Sequence, residues 1–150
     1  MSRLREIKTT PTLVFYAVDA SEPLELPLFE STVSAGFPSP ADDYEELRLD
    51  LNQHLIQHPS ATFYVRAQGH SMRDAGVHDG DLLVVDRAVP PQDNHVAICV
   101  VDGEFTVKRI RIRSGKMFLQ PANPDYDPLH ITESHDFRVW GVVTYVIHKL

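Results

Sequence analysis

The chain of 150 residues contains one cysteine, Cys99, so it can form no internal disulfide. That fits a reducing compartment, and the cytoplasm is the expected location. Long apolar runs are also missing. The longest, Val96-Ala97-Ile98-Cys99-Val100-Val101, falls far short of the roughly 20 residues that span a bilayer, so no membrane association is expected. The N-terminal stretch MSRLREIKTTPTLV has basic residues but no apolar segment of adequate length after them, which argues against a secretory leader. Positive charge is scarce as well: 14 Lys and Arg stand against 21 Asp and Glu, for a net charge of −7. Duplex binding is dominated by phosphate neutralisation, so direct sequence-specific DNA binding is not expected and protein partners are favoured. No internal repeat or low-complexity tract is present.

What remains is the composition of a soluble globular protein, 43% apolar and 23% charged, long enough for one well-buried core plus a tail. Residues 1 to 41 carry Pro11, Pro23, Pro27, Pro38 and Pro40 between short extended pieces such as Leu13-Val14-Phe15-Tyr16. That proline load rules out a long helix and reads as a flexible or extended arm. In DLNQHLIQHPS, Asp50 is the expected N-cap and Pro59 the stop, with Leu47, Leu51 and Leu55 forming an apolar stripe along one short helix. From residue 62 the segments TFYVRAQG, DLLVVDRA, NHVAICVVDG, EFTVKRIRIR, MFLQPA and FRVWGVVTYVIHK are rich in β-branched and aromatic residues and are separated by turn formers. The expected fold class is mainly β, with antiparallel strands, one short helix and an extended N-terminal arm. Asp102-Gly103 is the strongest hairpin signal, returning residues 104 to 113 against residues 95 to 101.

Strict alternation along that returning strand puts Lys108 on one face with Thr106, Ile110 and Ile112, while Arg109, Arg111 and Arg113 share the other with Val107. A lysine on an isoleucine face either snorkels to the strand end or is buried. Burial would matter chemically, because desolvation disfavours an ammonium and frees the amine to act as a base. In GHSMRDAGVHDGDLLVVD, Ser71 opens a polar turn between two apolar runs. A serine hydroxyl is a poor nucleophile until a base takes its proton, and a buried lysine is one such base.

GHSM, the DGDLLVVD turn and strand, and VDGEFTVKRI together resemble the self-cleaving peptidase domain of the LexA-type Ser/Lys family, in particular its UmuD-like SOS mutagenesis members. The likeness is dense over GFPSPADDYEELRLDLNQHLIQHPSATFYVRAQGHSM, weaker after residue 115 and absent before about residue 22. It implies that Ser71 is the nucleophile and Lys108 the general base, with the backbone amides of His70 and Ser71 receiving the oxyanion. It also implies a scissile bond between Ala35 and Gly36 in STVSAGFPSP, a stretch that otherwise reads as a linker. Residues 1–35 would then be an arm removed by self-cleavage and residues 36–150 the peptidase domain. Ala35 is small enough for a narrow pocket, Gly36 allows close approach to the serine, and Pro38 and Pro40 keep the chain extended. By the same resemblance the partners are a second copy in a homodimer, a RecA filament on single-stranded DNA that stimulates the cut, and a UmuC-type Y-family translesion DNA polymerase. No cofactor and no metal are implied.

Other chemistry is less well supported. A LexA-type repressor needs a helix-turn-helix domain ahead of its cut, and the residues before Gly36 are proline-punctuated. GHSMR lacks the second glycine of a nucleophile elbow. His54 and His58, four apart, lack a zinc-protease glutamate and read as a solvated pair. Asp79 and Asp81 read as a turn, not a calcium loop. Adjacent residues on an extended chain point apart, so His70 is expected to be a positioning neighbour of Ser71 and not its base. The basic cluster Lys108, Arg109, Arg111, Arg113 and Lys116 reads as a solvated or partner-docking face. The competing reading of the whole chain is a regulatory dimerisation module whose dyad is idle.

Overall fold

The computed structural model describes residues 4–29, 45–69, 75–120 and 127–150. Among the described residues it is mostly antiparallel β, with one short α-helix. The described residues fall into two units, one made of residues up to Asp19 together with His58–Leu150, the other of Ala20–Gln57.

In the first unit, β1 (Arg5–Thr9), β2 (Leu13–Ala17), β5 (Thr62–Ala67), β6 (Leu82–Asp86), β7 (Val96–Val101), β8 (Glu104–Arg113), β9 (Lys116–Gln120), β10 (Leu129–His130) and β11 (Phe137–Ile147) form one sheet. Their order is β1-β2-β5-β6-β11-β7-β8-β9-β10. The hairpin at Asp102-Gly103 forms as expected: Val101 pairs with Glu104, and both turn residues have positive φ, 48° and 84°. This is the geometry that a two-residue turn needs to match strand twist. Ser114-Gly115 closes the next hairpin in the same way, with Arg113 opposite Lys116. The longest strand, β11, lies between β6 and β7, and its register slips at Val139/Gly141 and at Val143/Tyr145. Gly141 sits at the first slip because a Cβ there would lie 2.6 Å from Val85 Cγ1.

Both faces of the sheet are covered at its centre. Ile98 and Val107 join Leu13, Phe15, Val65, Leu83 and Val85 in one apolar cluster, while Ala97, Cys99, Ile110 and Leu119 form another. Consecutive residues on a strand point to opposite faces, so β7 is buried on both sides. VAICVV is therefore an unbroken apolar run instead of an alternating one.

Of the segment expected as an extended arm, the described residues 4–29 hold three short strands, and part of them is structural. Strand β2 pairs with β5 from Leu13↔Ala67 to Ala17↔Phe63. Leu13 and Phe15 are 2% and 0% exposed. Their local sequence is a short apolar strand, and only its pairing with a distant partner turns it into core.

The second unit holds a two-stranded sheet of β3 (Glu25–Phe29) and β4 (Glu45–Asp50), followed by α1 (Leu51–Leu55). Asp50 caps α1 as expected: its carboxylate accepts from the Gln53 amide and also from the Leu24 amide. The expected stripe is shorter than the sequence indicates, because Leu47 belongs to β4, paired with Leu28. The pairing with β3 claims the backbone groups that an earlier helix start would need. Among the described residues no helix is long and apolar enough to cross a membrane.

Candidate active site

Lys108 lies near the middle of β8, where the strand is covered on both sides. Phe105 and Val107 face the first cluster, and Ile110 and Ile112 the second. Val107, which strict alternation groups with the arginines, is therefore core as well: the two parities are apolar in different halves of the strand. Lys108 sits opposite Ala97 in the ladder and is half-buried. Its charge reaches Cys99, two residues along β7. The side chain is thus neither sealed in the core nor extended freely into solvent.

Lys108 also lines a cleft of about 710 Å³. Its walls include Gln68 and Gly69 beyond the end of β5, Val77 from the following turn, and Thr106 and Val107 from β8. Gly69 is held by its amide, which donates to Asp79 Oδ1 at 2.8 Å. The turn is closed further by the Ala67 and Gly80 amides, which donate to the Asp81 and Ala67 carbonyls. Asp79 and Asp81 therefore act as turn-forming residues, as their spacing in HDGD indicates. Ser71 and His70, and likewise Ala35 and Gly36 between β3 and β4, lie outside the described residues.

The other candidates have local partners. His58 Nδ1 is 2.6 Å from Asp86 Oδ2, and Asp86 also accepts from the Ala88 amide. The basic face of β8 is bound to the loop before β7. Arg109 donates to the Asn94 carbonyl at 2.6 Å, Arg111 to Asn94 Oδ1 at 2.8 Å, and Arg113 lies 3.2 Å from Asp93. The Ile112 amide, together with Arg111 and Arg113, holds the Asp93 carboxyl below its ordinary value against the opposing effect of burial. Much of the cluster's donor capacity is therefore used within the chain.

Cys99 is 0% exposed, and burial pushes its thiol up to about 12, with the Lys108 charge acting in the opposite direction. Only the thiolate is reactive. At mildly alkaline pH a thiol reagent will leave the folded chain unmodified and will label one equivalent after denaturation. The unfolded thiol ionises near its ordinary 9.0, so the raised folded value contributes stability in full below that pH and loses it progressively up to about 12. Cys99→Ala will flatten that alkaline decline in a melting series. Labelling of the native chain at the denatured rate would contradict the burial.

Comparison with known proteins agrees with this fold. The Peptidase S24-like family profile matches residues 27–144. Protein SamA of Salmonella typhimurium is 50% identical over 123 residues, which cover 82% of this chain and 85% of SamA. Protein ImpA of Escherichia coli is 50% identical over 125 residues, covering 82% and 83% of the two chains. Protein MucA of Escherichia coli is 39% identical over 133 residues, covering 88% and 90%. A profile match across most of the chain and relatives this similar over most of their own length lead to one conclusion: the chain belongs to the Peptidase S24-like family, as a UmuD-like member of the LexA type.

Proposed function

We propose that this protein is a self-cleaving serine endopeptidase with a Ser71/Lys108 dyad that cuts its own Ala35–Gly36 bond. The observation that carries the reading is the position of Lys108, a half-buried amine on an apolar strand face, lining the same cleft as Gly69, two residues before Ser71 in the chain. In its neutral form the Lys108 amine takes the Ser71 hydroxyl proton, and Oγ attacks the Ala35 carbonyl carbon. The oxyanion is received by the His70 and Ser71 amides. Lys108 then returns its proton to the Gly36 nitrogen as the C–N bond breaks, and water releases the Ala35 acyl group from Ser71 by the same route in reverse. The product begins at Gly36.

The family relationship supports a role in the SOS response. In this reading a RecA filament on single-stranded DNA stimulates the cut, and the shortened chain, as a homodimer, serves as accessory subunit of a UmuC-type translesion DNA polymerase. Cleavage separates residues 1–35 from 36–150, a removal that takes three basic and five acidic side chains and changes net charge by two units. The switch therefore acts through covered surface more than through charge.

An intact-mass time course tests the reading. Wild type will accumulate a fragment beginning at Gly36, and Ser71→Ala will stay whole. The same fragment from Ser71→Ala would trace the cut to another protease. A wild type that stays whole with an activated RecA filament would favour the interaction module with an idle dyad.

A further inference from the structure

The register of the sheet brings His148, near the end of the chain, beside two residues of the turn before β6, His78 and Asp81. Leu82 pairs with Ile147, so Asp81, just before β6, stands beside His148, just after β11. His148 Nδ1 is 2.5 Å from Asp81 Oδ1. His78, at the start of the turn, has its Nδ1 3.6 Å from Asp81 Oδ2. The two imidazole rings face each other with centroids 5.0 Å apart. One potential ligand atom from each of the three residues lies within 4.8 Å of the others.

Asp81 is 2% exposed, whereas both histidine side chains are roughly half-exposed. The carboxylate is fixed from below by the His78 amide, which donates to Oδ2 at 2.8 Å. A buried carboxylate at the floor with two half-exposed imidazoles at the rim is an arrangement a cation can complete.

We propose that His78, Asp81 and His148 form a binding site for a divalent transition-metal ion of the zinc class, independent of the self-cleavage reaction. Two imidazole nitrogens and one carboxylate oxygen suit a borderline ion, while calcium and magnesium favour all-oxygen sets and soft copper favours thiolate. With metal–ligand distances of about 2.0–2.2 Å, tetrahedral ligand atoms stand about 3.3–3.6 Å apart. The His78–Asp81 distance already matches. The shorter His148–Asp81 contact is a hydrogen bond whose proton the metal replaces, and the half-exposed ring has room to withdraw. Three protein ligands leave the remaining position to water or to a ligand from a partner. Occupancy would clamp the C-terminal tail to the turn at residues 77–81.

The test uses the untagged full chain, freed of metal and titrated with zinc in competition with a chromophoric chelator. Wild type will bind one equivalent, and His78→Ala and His148→Ala will each weaken binding at least tenfold. His54→Ala, at an exposed histidine elsewhere, will leave it unchanged. Zinc will also raise the melting temperature of wild type but not of the His78→Ala/His148→Ala double variant, since a ligand that binds only the folded state stabilises it. Circular dichroism confirms that the variants fold; both substitutions are at half-exposed side chains. Failure of wild type to compete for zinc, or binding that survives the double substitution, would overturn the proposal and reduce the cluster to a carboxylate–imidazole pin.

Discussion

Phe15→Ala will destabilise the protein by about 3–5 kcal/mol, the range for truncating a fully buried aromatic side chain. Phe15 is 0% exposed, and its ring packs edge-on against Phe105 at 5.2 Å and Trp140 at 4.9 Å between centroids. Such aromatic pairs add to the burial term. The Phe105 ring is itself covered by the Lys8 ammonium at 4.6 Å, so β1 helps to close this corner. A loss of that size is a large part of the roughly 5–15 kcal/mol that holds a typical domain together. Ile7→Ala on β1 is the matched control, because Ile7 is 46% exposed and should cost no more than about 0.5 kcal/mol. Urea unfolding of the two variants settles the matter: equal midpoints would mean that the N-terminal hairpin only rests on the sheet. A large difference would place part of the core on the N-terminal side of the proposed cut.

Under the proposed mechanism, Lys108→Met and Lys108→Arg will each lower the rate of self-cleavage by about 10²–10⁴, the contribution expected of a positioned general base. The two substitutions fail for different reasons. Methionine keeps the apolar stem that lies along Ala97 in the ladder but has no basic nitrogen. Arginine keeps a nitrogen and a charge, but its guanidinium is not deprotonated in proteins and cannot accept the serine proton. Lys108→Met will retain wild-type stability or gain slightly, since a half-buried charge is replaced by an apolar group of similar length. The readout pairs intact mass with thermal melting on the same samples. Self-cleavage by Lys108→Arg at the wild-type rate would remove Lys108 from the mechanism, whatever its position in the cleft.

Particular residues show how much of this was legible in advance. The Asp102-Gly103 turn, the Asp50 cap and strand β2 were readable because each depends on a few neighbouring residues: two positive φ angles, one carboxylate near free amides, one short apolar run. The helix stripe was read one turn too early, because Leu47 is claimed by a strand whose partner lies far back in the chain. The face of Lys108 was half-legible. Alternation placed it with Ile110 and Ile112, but that Phe105 and Val107 on the other parity are also core could not be seen without the first apolar cluster, which is built from distant strands. His78, Asp81 and His148 carry no metal-ligand spacing, and His148 and Asp81 are 67 residues apart.

The amino-acid order alone determined the β texture, the turns and the lone lysine on an apolar face, because these arise from side-chain periodicity and local backbone preference. Tertiary structure decided that residues 5–17 complete a sheet, that β11 runs between β6 and β7, and that a carboxylate and two imidazoles share one corner. Those outcomes depend on which strands pair across long loops, and that choice follows from the apolar faces the whole chain can bury together, a quantity no local stretch contains.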